Sequence, residues 1–217
     1  MKKNSKIILW IIAVIVIIMG IVYYLLVPDE TVNIDTKNKI ITTEDLIRES
    51  SINSFKVLGK PLVIQGELAI SSKEFKNIIY TLMDKYNIKE LKHTYIQINK
   101  NKIKTIYPYK ILGIINSQYE IDIVPSVENN NLNVKLTNLK VGKLKISDKL
   151  LNRILSTYKN KIPFNIKDNS IIVDKSYIYP ITLEKVDIQE DNIILYVVIR
   201  VNNVLDFIKK NDIKINM

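Results

Sequence analysis

An uncharged apolar run near the N-terminus limits what this 217-residue chain can form more than any other feature of the sequence. Residues 7–27 read IILWIIAVIVIIMGIVYYLLV and contain no charged side chain. At about 1.5 Å per residue, a helix of this length crosses the roughly 30 Å of hydrocarbon in a bilayer. The run therefore predicts a transmembrane helix and leaves one domain of about 190 residues.

The flanks of the apolar run differ in charge. Three lysines precede it within residues 1–6, whereas Asp29 and Glu30 follow it, after Tyr23 and Tyr24 near the outer end. Basic residues stay on the cytoplasmic side, so the sequence predicts a cytoplasmic tail and an extracytoplasmic domain at the cell membrane. A cleaved signal peptide would need a shorter apolar core and a small-x-small site, and the exit sequence YYLLVPDE contains no such site. An uncleaved single-pass anchor is therefore favoured.

Composition excludes several classes of chemistry. The chain has no cysteine, which rules out disulfides, thiolate nucleophiles, cysteine-based zinc sites and a lipid-modified cysteine. Without the three N-terminal lysines, the chain has 29 basic and 22 acidic residues, a net charge of +7. On a domain that faces outward, this charge favours anionic lipid headgroups or anionic wall polymers as partners, although an ordinary solvated lysine-rich surface has the same composition. Nucleic acid is not expected as a partner, because no recognition motif is present and the domain is predicted to lie outside the cell. No cofactor is predicted.

The domain begins after a short polar segment. Residues 28–39 predict a juxtamembrane linker, and residues 40–217 predict the extracytoplasmic domain. The first elements of the domain are predicted as a short helix capped by Thr42 or Thr43, then a turn and a strand over residues 57–70.

Two segments predict amphipathic helices. Residues 71–86 begin with the capping-box pattern of Ser71 and Glu74, and residues 148–159 have Ser147 as their cap. Each segment carries one apolar stripe at steps of three and four, which is typical of a helix packed on a sheet. We expect an apolar groove between these helices and the sheet. Its candidate lining residues are Phe75, Ile79, Leu82, Leu151, Ile154 and Leu155.

Most of the remaining chain alternates apolar and polar residues, as strands do. Strands are predicted at residues 94–99, 102–107, 119–127, 132–146, 171–173, 181–189 and 193–201, before a short helix at 204–209. Short connections between successive strands indicate an antiparallel meander. The predicted fold class is α+β: an N-terminal transmembrane helix followed by a curved antiparallel sheet that wraps the two main helices.

The predicted strand over residues 132–146 changes rhythm twice. Its apolar positions switch parity between Leu136 and Leu139, and switch again across Gly142. A β-bulge inserts one extra residue and so produces such a switch. We therefore expect two bulges in one long bent strand, with Gly142 adopting the backbone angle that one bulge requires.

Several runs of the domain resemble one bacterial family. They are LNVKLTNLKVGKLKIS with the helix after it, KIPFNIKDNSIIVD, and ITLEKVDIQEDNIIL, in order along most of residues 40–200. These runs are similar to the YpmS-like family, whose members have one N-terminal membrane segment and an extracytoplasmic domain of uncharacterised function. The resemblance is sharpest at VGKLKI, followed by a helix and by Ile162 and Pro163. It implies a membrane-anchored protein and supplies no catalytic residue.

No residue pattern predicts an active site. His93 is the one histidine, so neither a histidine metal cluster nor a serine–histidine–aspartate triad is expected, and no Gly-x-Ser-x-Gly turn occurs. The acidic residues Asp187, Glu190 and Asp191 lie on a hairpin tip, which we interpret as a solvated turn rather than a metal site.

Lysines interleave with aromatic residues in the run NKNKIKTIYPYK. Alternate residues of a strand share one face, so the run predicts a basic stripe beside Tyr107 and Tyr109. Such a stripe would hold phosphate groups of lipids or wall polymers, although an ordinary solvated strand face has the same pattern. The candidate basic-face residues are Lys100, Lys102, Lys104 and Lys110.

Three functions remain open from the sequence. The first is a non-enzymatic membrane-anchored module that binds a lipid or acyl chain in the apolar groove, or docks an envelope partner protein. The second is an envelope hydrolase or transferase that uses His93 or paired carboxylates. The third is a structural component whose basic face contacts anionic wall polymer.

Overall fold

The computed structural model describes residues 2–32, 39–42, 51–88, 94–99 and 101–210. The described α-helices are α1 (Lys2–Leu26), α2 (Ser72–Lys85), α3 (Asp148–Ser156) and α4 (Val201–Lys210), and a short 3-10 helix spans Lys175–Ile178. The described strands are β1 (Ser51–Leu58), β2 (Val63–Ser71), β3 (Tyr95–Asn99), β4 (Lys102–Ile111), β5 (Ile115–Glu128), β6 (Asn131–Val141), β7 (Leu144–Lys145), β8 (Asn165–Lys167), β9 (Ser170–Val173), β10 (Ile181–Gln189) and β11 (Asn192–Arg200). The helix predicted after Thr42 or Thr43 lies mostly outside the described residues.

Helix α1 is the predicted apolar helix. Its segment Leu9–Leu26 is long and apolar enough to cross a membrane, and none of it is buried in the protein. A membrane anchor and a signal sequence both have this length and composition. The orientation of the helix stays a prediction.

The strands form two antiparallel sheets, where the sequence predicts one. The first sheet has the order β1-β2-β11-β10, and the second has the order β3-β4-β5-β6-β9-β8, with β7 paired to β6. The α+β class and the meander from β3 to β6 are confirmed. Strand β2 pairs with β11, which lies far away in the sequence. The alternation of residues within one strand gives no information on such a distant partner.

Helices α2 and α3 begin as their sequences predict. The Ser71 backbone N–H donates to Glu74 Oε2 at 2.6 Å, and the Glu74 N–H donates to Ser71 Oγ at 3.3 Å, which completes the capping box. Ser147 caps α3 by accepting from the Leu150 N–H at 3.4 Å. Each cap satisfies backbone donors that have no partner inside the helix.

The prediction of one strand over residues 132–146 is half right. A register shift opposite Glu120 and Asp122 accompanies a positive φ at Asn138, so the first parity switch is a bulge. The second switch is a tight turn at Gly142, after which β7 folds back onto β6 and Leu144 pairs with Val141. The strand is therefore interrupted at Gly142 and does not continue past it. A glycine at positive φ suits a turn as well as a bulge, so parity alone does not distinguish them.

Strands were missed or shortened in three places. Strands β1 and β8 were not predicted as strands over their full length, and the β4–β5 pairing runs on to Ile111 and Ile115 instead of ending near Tyr107 and Tyr119. The sequence ILGII at this turn is uniformly apolar and lacks the alternation that identifies a half-buried strand.

Both sheets and both main helices contribute to one apolar core. Leu151 and Leu155 of α3 are buried in it beside Ile103 and Ile123 of the second sheet and Ile193 of the first. The side chains of α2 that pack against this core are Phe75, Ile78 and Ile79. The two apolar stripes read from the sequence therefore face the same interior.

Candidate functional site

The outer end of α1 is hydrogen-bonded to the second sheet. The Lys143 backbone N–H donates to the Leu25 carbonyl oxygen at 2.8 Å, and the Ser117 hydroxyl donates to the Leu26 carbonyl oxygen at 2.6 Å. The last carbonyls of a helix have no partner within the helix. The β5 strand and the β6–β7 turn supply two of these partners, so α1 ends in a built junction with the domain.

Gly142 makes this junction possible. Its φ of +57° lies in the left-handed region, and a Cβ added there would lie 2.5 Å from the Leu26 carbonyl carbon and 2.8 Å from the Leu25 oxygen. Side-chain carbons do not approach backbone atoms this closely. Only glycine therefore lets the β6–β7 turn sit against the end of α1.

The Lys143 side chain adds a cation–π contact and an ion pair to the junction. Its Nζ lies 3.7 Å from the centre of the Tyr24 ring and 3.1 Å from Asp29 Oδ1. Desolvation lowers the pKa of this amine, but the contacts with Asp29 and Tyr24 raise it by a larger amount. The pKa of Lys143 therefore lies above its ordinary value. Lys143 is therefore charged at neutral pH and contacts both the helix and the segment after it.

Three tyrosines line one face of the β4–β5 hairpin next to the junction. The rings of Tyr107 and Tyr119 stack with centroids 6.3 Å apart, and those of Tyr109 and Tyr119 lie 5.3 Å apart. Burial raises the pKa of the Tyr119 hydroxyl, and the neighbouring tyrosines raise it further. This face also carries Ser117, which bonds to α1, so the cluster flanks the end of the apolar helix.

The candidate groove residues divide into packed and exposed members. Leu151 is 2% exposed and Leu155 is buried, and both lie in the core that Phe75 and Ile79 pack against. Leu82 is half-buried. Ile154, on the same helix as Leu151, is 40% exposed. The structure thus places four of the six candidates in or against the packed interior.

The candidate basic face is paired with carboxylates where the structure describes it. Lys102 Nζ lies 2.6 Å from Asp122 Oδ2, and Lys104 Nζ lies 2.9 Å from Glu120 Oε2, both across the β4–β5 pair. Lys110 is exposed near the hairpin tip. Lys100 lies outside the described residues. Two of the four positive charges are therefore balanced within the hairpin itself.

The Lys104–Glu120 pair predicts acid sensitivity. Burial raises the pKa of Glu120, but hydrogen bonds from Lys104 and Gln118 lower it by a larger amount in total. The pKa of Glu120 therefore lies below its ordinary value of 4.5. A lowered carboxyl pKa stabilises the fold at neutral pH, and this contribution is lost as the pH falls below 4.5. We expect Glu120→Gln to reduce the free energy of unfolding at pH 7 by less than about 1 kcal/mol. Urea unfolding should show the difference shrinking toward zero in acid.

The matched control is Glu184→Gln, at an exposed position of β10. An equal loss for Glu120→Gln at neutral and acid pH would show that the carboxylate charge is not what stabilises the hairpin.

A polar cleft of about 640 Å³ opens beside the first turn of α3. Its lining includes Lys135, Lys145, Asp148 and Asn169. The helix end within it is already complemented by the Ser147 cap and by Asp148 in the first turn. In the described part of the chain, no group of three or more acidic or histidine residues could hold a metal ion. His93 lies outside the described residues.

Strand β1 is an exposed edge of the first sheet. It pairs with β2 on one side, and no described strand lies on the other. Phe55 is 69% exposed and Val57 is 56% exposed, and residues two apart on a strand project to the same face. Phe55 lies opposite Gly66, which has no side chain to cover the ring. This surface was not predicted from the sequence, because β1 was not predicted as a strand.

Comparisons with known proteins return no relative of this chain. No family model matches it, no curated protein matches it, and no solved structure matches its fold. The resemblance to the YpmS-like family therefore stays a prediction.

Proposed function

We propose that this protein is a non-enzymatic membrane-anchored module whose extracytoplasmic domain docks an envelope partner protein along the edge strand β1. The observation that carries the proposal is the edge of β1, along which no described strand pairs, with its exposed apolar side chains Phe55, Val57 and Leu58. The partner would present an extended apolar segment that adds to the sheet as a further strand.

The junction at α1 supports a docking role. Helix α1 is proposed to cross the membrane with its N-terminus in the cytoplasm, as its flanking charges predict. Bonds from Ser117 and Lys143 to the helix end restrict how the domain can swing on its anchor. A domain held in this way presents β1 at a defined position relative to the membrane, which lowers the entropic cost of meeting a membrane partner.

Strand addition suits β1 for two physical reasons. An edge strand offers unpaired backbone N–H and C=O groups, which a partner strand satisfies in a regular ladder. Phe55 and Val57 on one face would add apolar contact to those hydrogen bonds. Natural edge strands are commonly shielded by charges, and in the described part of β1 Lys56 is the one charged residue.

The acyl-chain version of this function has weaker support. An acyl chain needs an open apolar channel, whereas Leu151 and Leu155 pack into the protein core. Leu82 and Ile154 remain as the accessible members of the candidate groove. A co-purifying lipid that is lost in Leu82→Lys would favour this version over docking.

The other two candidate functions also have less support. Contact with anionic wall polymer would require free positive charge, and Lys102 and Lys104 are engaged by Asp122 and Glu120. An envelope hydrolase would require a nucleophile and a base within hydrogen-bond reach. Our docking proposal agrees with the membrane-anchored architecture that the YpmS-like resemblance implies.

Site-specific photocrosslinking tests the docking function. The full chain, in membranes of the cells that produce it, would carry the photoreactive residue p-benzoylphenylalanine in place of Phe55. The control places the same residue at Glu184, which is exposed on β10, the other edge strand of the sheet. We expect one discrete adduct from position 55 and none from position 184. The adduct should disappear when Val57→Lys puts a charge on the same face.

The adduct must map to an extended segment of the crosslinked protein. An adduct between two copies of this chain would show that β1 mediates self-association instead of binding a different protein. Absence of any adduct from position 55, with the protein folded in the membrane, would overturn the docking function.

A further inference from the structure

We propose that the tip of the β4–β5 hairpin, residues 111–115, is a second membrane contact that inserts into the outer surface of the bilayer beside α1. The inference rests on the proposed function, because the tip meets lipid only if α1 spans the membrane. The ligand is a lipid surface, and the carrying feature is an exposed apolar turn placed next to the end of an apolar helix.

The tip carries the two most exposed large apolar side chains in the described part of the chain. Leu112 is 85% exposed and Ile114 is 78% exposed, more than any described side chain of α1. Ile111 and Ile115 flank them, so the turn is apolar throughout. Single exposed apolar residues are ordinary, but a contiguous apolar tip on a protruding turn marks an interaction site.

The backbone of the tip strengthens this interpretation. Leu112 has a φ of +52°, in the left-handed region that apolar side chains disfavour. Every other described non-glycine residue with positive φ, apart from Glu190, is asparagine or aspartate. An asparagine would fit the turn at Leu112 with less strain and better hydration. The leucine therefore destabilises the free protein through backbone strain and through exposed apolar surface. Both effects are expected to persist only where the apolar side chain takes part in binding.

The tip lies on the side of the domain where α1 attaches. Strand β6 stops at Val141, opposite Tyr119, and the turn at Gly142 meets the end of α1 there. Strands β4 and β5 continue beyond that level, so the helix end occupies the place where β6 would have continued. From Ser117, which bonds to Leu26, two further residues of strand reach Ile115, about 7 Å along the hairpin at roughly 3.3 Å per residue, and the apolar turn lies beyond it.

Aromatic and basic residues lie where a membrane interface would need them. Tyr109 and Tyr119 stand on the hairpin behind the apolar tip, and Tyr23 and Tyr24 are exposed near the end of α1. Tyrosine rings favour the headgroup region of a bilayer. Lys110 is exposed next to the tip and can reach lipid phosphate while its stem follows the apolar surface.

A lipid surface fits these features better than a protein groove does. The tip is a narrow convex turn, and a bilayer accepts a convex apolar element without a complementary pocket. Lys110 and then Tyr109 follow directly behind the apolar end of the hairpin, which places a cation and an aromatic ring at the level of the headgroups when the end lies in hydrocarbon. Helix α1, when it spans the membrane, also holds this side of the domain close to the bilayer surface.

The absence of cysteine makes the test direct. Single cysteines at Leu112, Asn129 and Val16 in the full chain would carry the environment-sensitive dye NBD. The protein would be reconstituted in vesicles of phosphatidylcholine and phosphatidylglycerol in equal parts. Asn129 is a matched control, because it is exposed, has a φ of +53°, and lies at the opposite end of β5. Val16, in the middle of α1, reports whether that helix is in the bilayer.

We expect a blue-shifted emission at Leu112 and Val16 with quenching by spin-labelled lipid, and neither effect at Asn129. A quenched Val16 probe with a water-exposed Leu112 probe would overturn the hairpin contact and leave the anchor intact. A water-exposed Val16 probe would show that α1 does not span the bilayer, which would overturn the proposed anchor and, with it, the hairpin contact. A shielded Leu112 probe that lipid quenchers cannot reach would show that protein covers the tip, which also overturns the proposal.

A second variant separates lipid contact from folding. Leu112→Asn relieves the left-handed strain, so the hairpin should fold at least as well. With the dye at Ile114, this change should lower lipid quenching, since losing one buried leucine side chain reduces partitioning roughly tenfold or more. Unchanged quenching in Leu112→Asn would argue against insertion of the tip.

Discussion

Replacing Gly142 with alanine is expected to open the junction between α1 and the domain. The new Cβ would lie 2.5 Å from the Leu26 carbonyl carbon, and the left-handed φ of +57° would strain any side chain. The strain costs about 1 kcal/mol, and the overpacking adds roughly 1–3 kcal/mol unless the helix end moves away. The Lys143 amide, which donates to the Leu25 carbonyl, should then exchange its hydrogen much faster.

Hydrogen exchange of the full chain in detergent micelles measures this effect. Gly113→Ala is the matched control, because Gly113 also has a positive φ, of +74°, but has no atom within 4 Å of an added Cβ. The two variants share the backbone strain and differ only in the steric clash. Equal protection of the Lys143 amide in Gly142→Ala and in the unmodified chain would show that the helix end does not pack against this turn.

The largest loss of stability is expected from Leu151→Ala. Leu151 is 2% exposed in the core shared by both sheets, and truncating such a leucine costs about 2–5 kcal/mol through lost burial and the cavity left behind. Ile154, three residues along the same helix, is 40% exposed. Ile154→Ala should cost roughly 1 kcal/mol or less.

Urea unfolding of both variants, followed by circular dichroism, measures this difference. It also bears on the candidate groove, because an open lipid-binding groove would not need Leu151 for folding. Similar small losses for both variants would indicate that α3 is loosely packed, and would return weight to the groove.

The candidate functional surfaces were predicted unevenly. The sequence identified the lysines of the β4–β5 hairpin but not their partners, since Asp122 and Glu120 lie on the next strand and meet Lys102 and Lys104 only through strand register. Its groove candidates came from helical stripes, which correctly indicated apolar faces. A stripe does not state whether its face meets protein or an open channel, and Leu151 proved to be packed.

The two surfaces used in the proposals were not visible as such in the sequence. The edge of β1 became apparent only from the strand order, because any strand with an exposed Phe55 can be central or peripheral until its neighbours are known. The hairpin tip at Leu112 lies in the apolar run ILGII, from which no surface was predicted. Its exposure and its closeness to α1 depend on where β6 ends.

What the sequence determined by itself is the set of features with local causes. The apolar run over residues 7–27 is recognisable because hydrocarbon thickness demands one uninterrupted segment. The caps at Ser71 and Ser147, the β10–β11 hairpin and the bulge near Asn138 follow from side-chain chemistry and periodicity within a few residues. These elements form for reasons that act over one or two turns of chain.

Only the tertiary structure decided the division into two sheets, the turn at Gly142 and the junction with α1. Each depends on contacts between segments far apart in the chain, such as β2 with β11, or Ser117 with Leu26. Gly142 illustrates the physical reason. A glycine at positive φ serves a bulge or a turn equally well, and the close approach of the Leu26 backbone is a property of the folded chain that no neighbouring residue reveals.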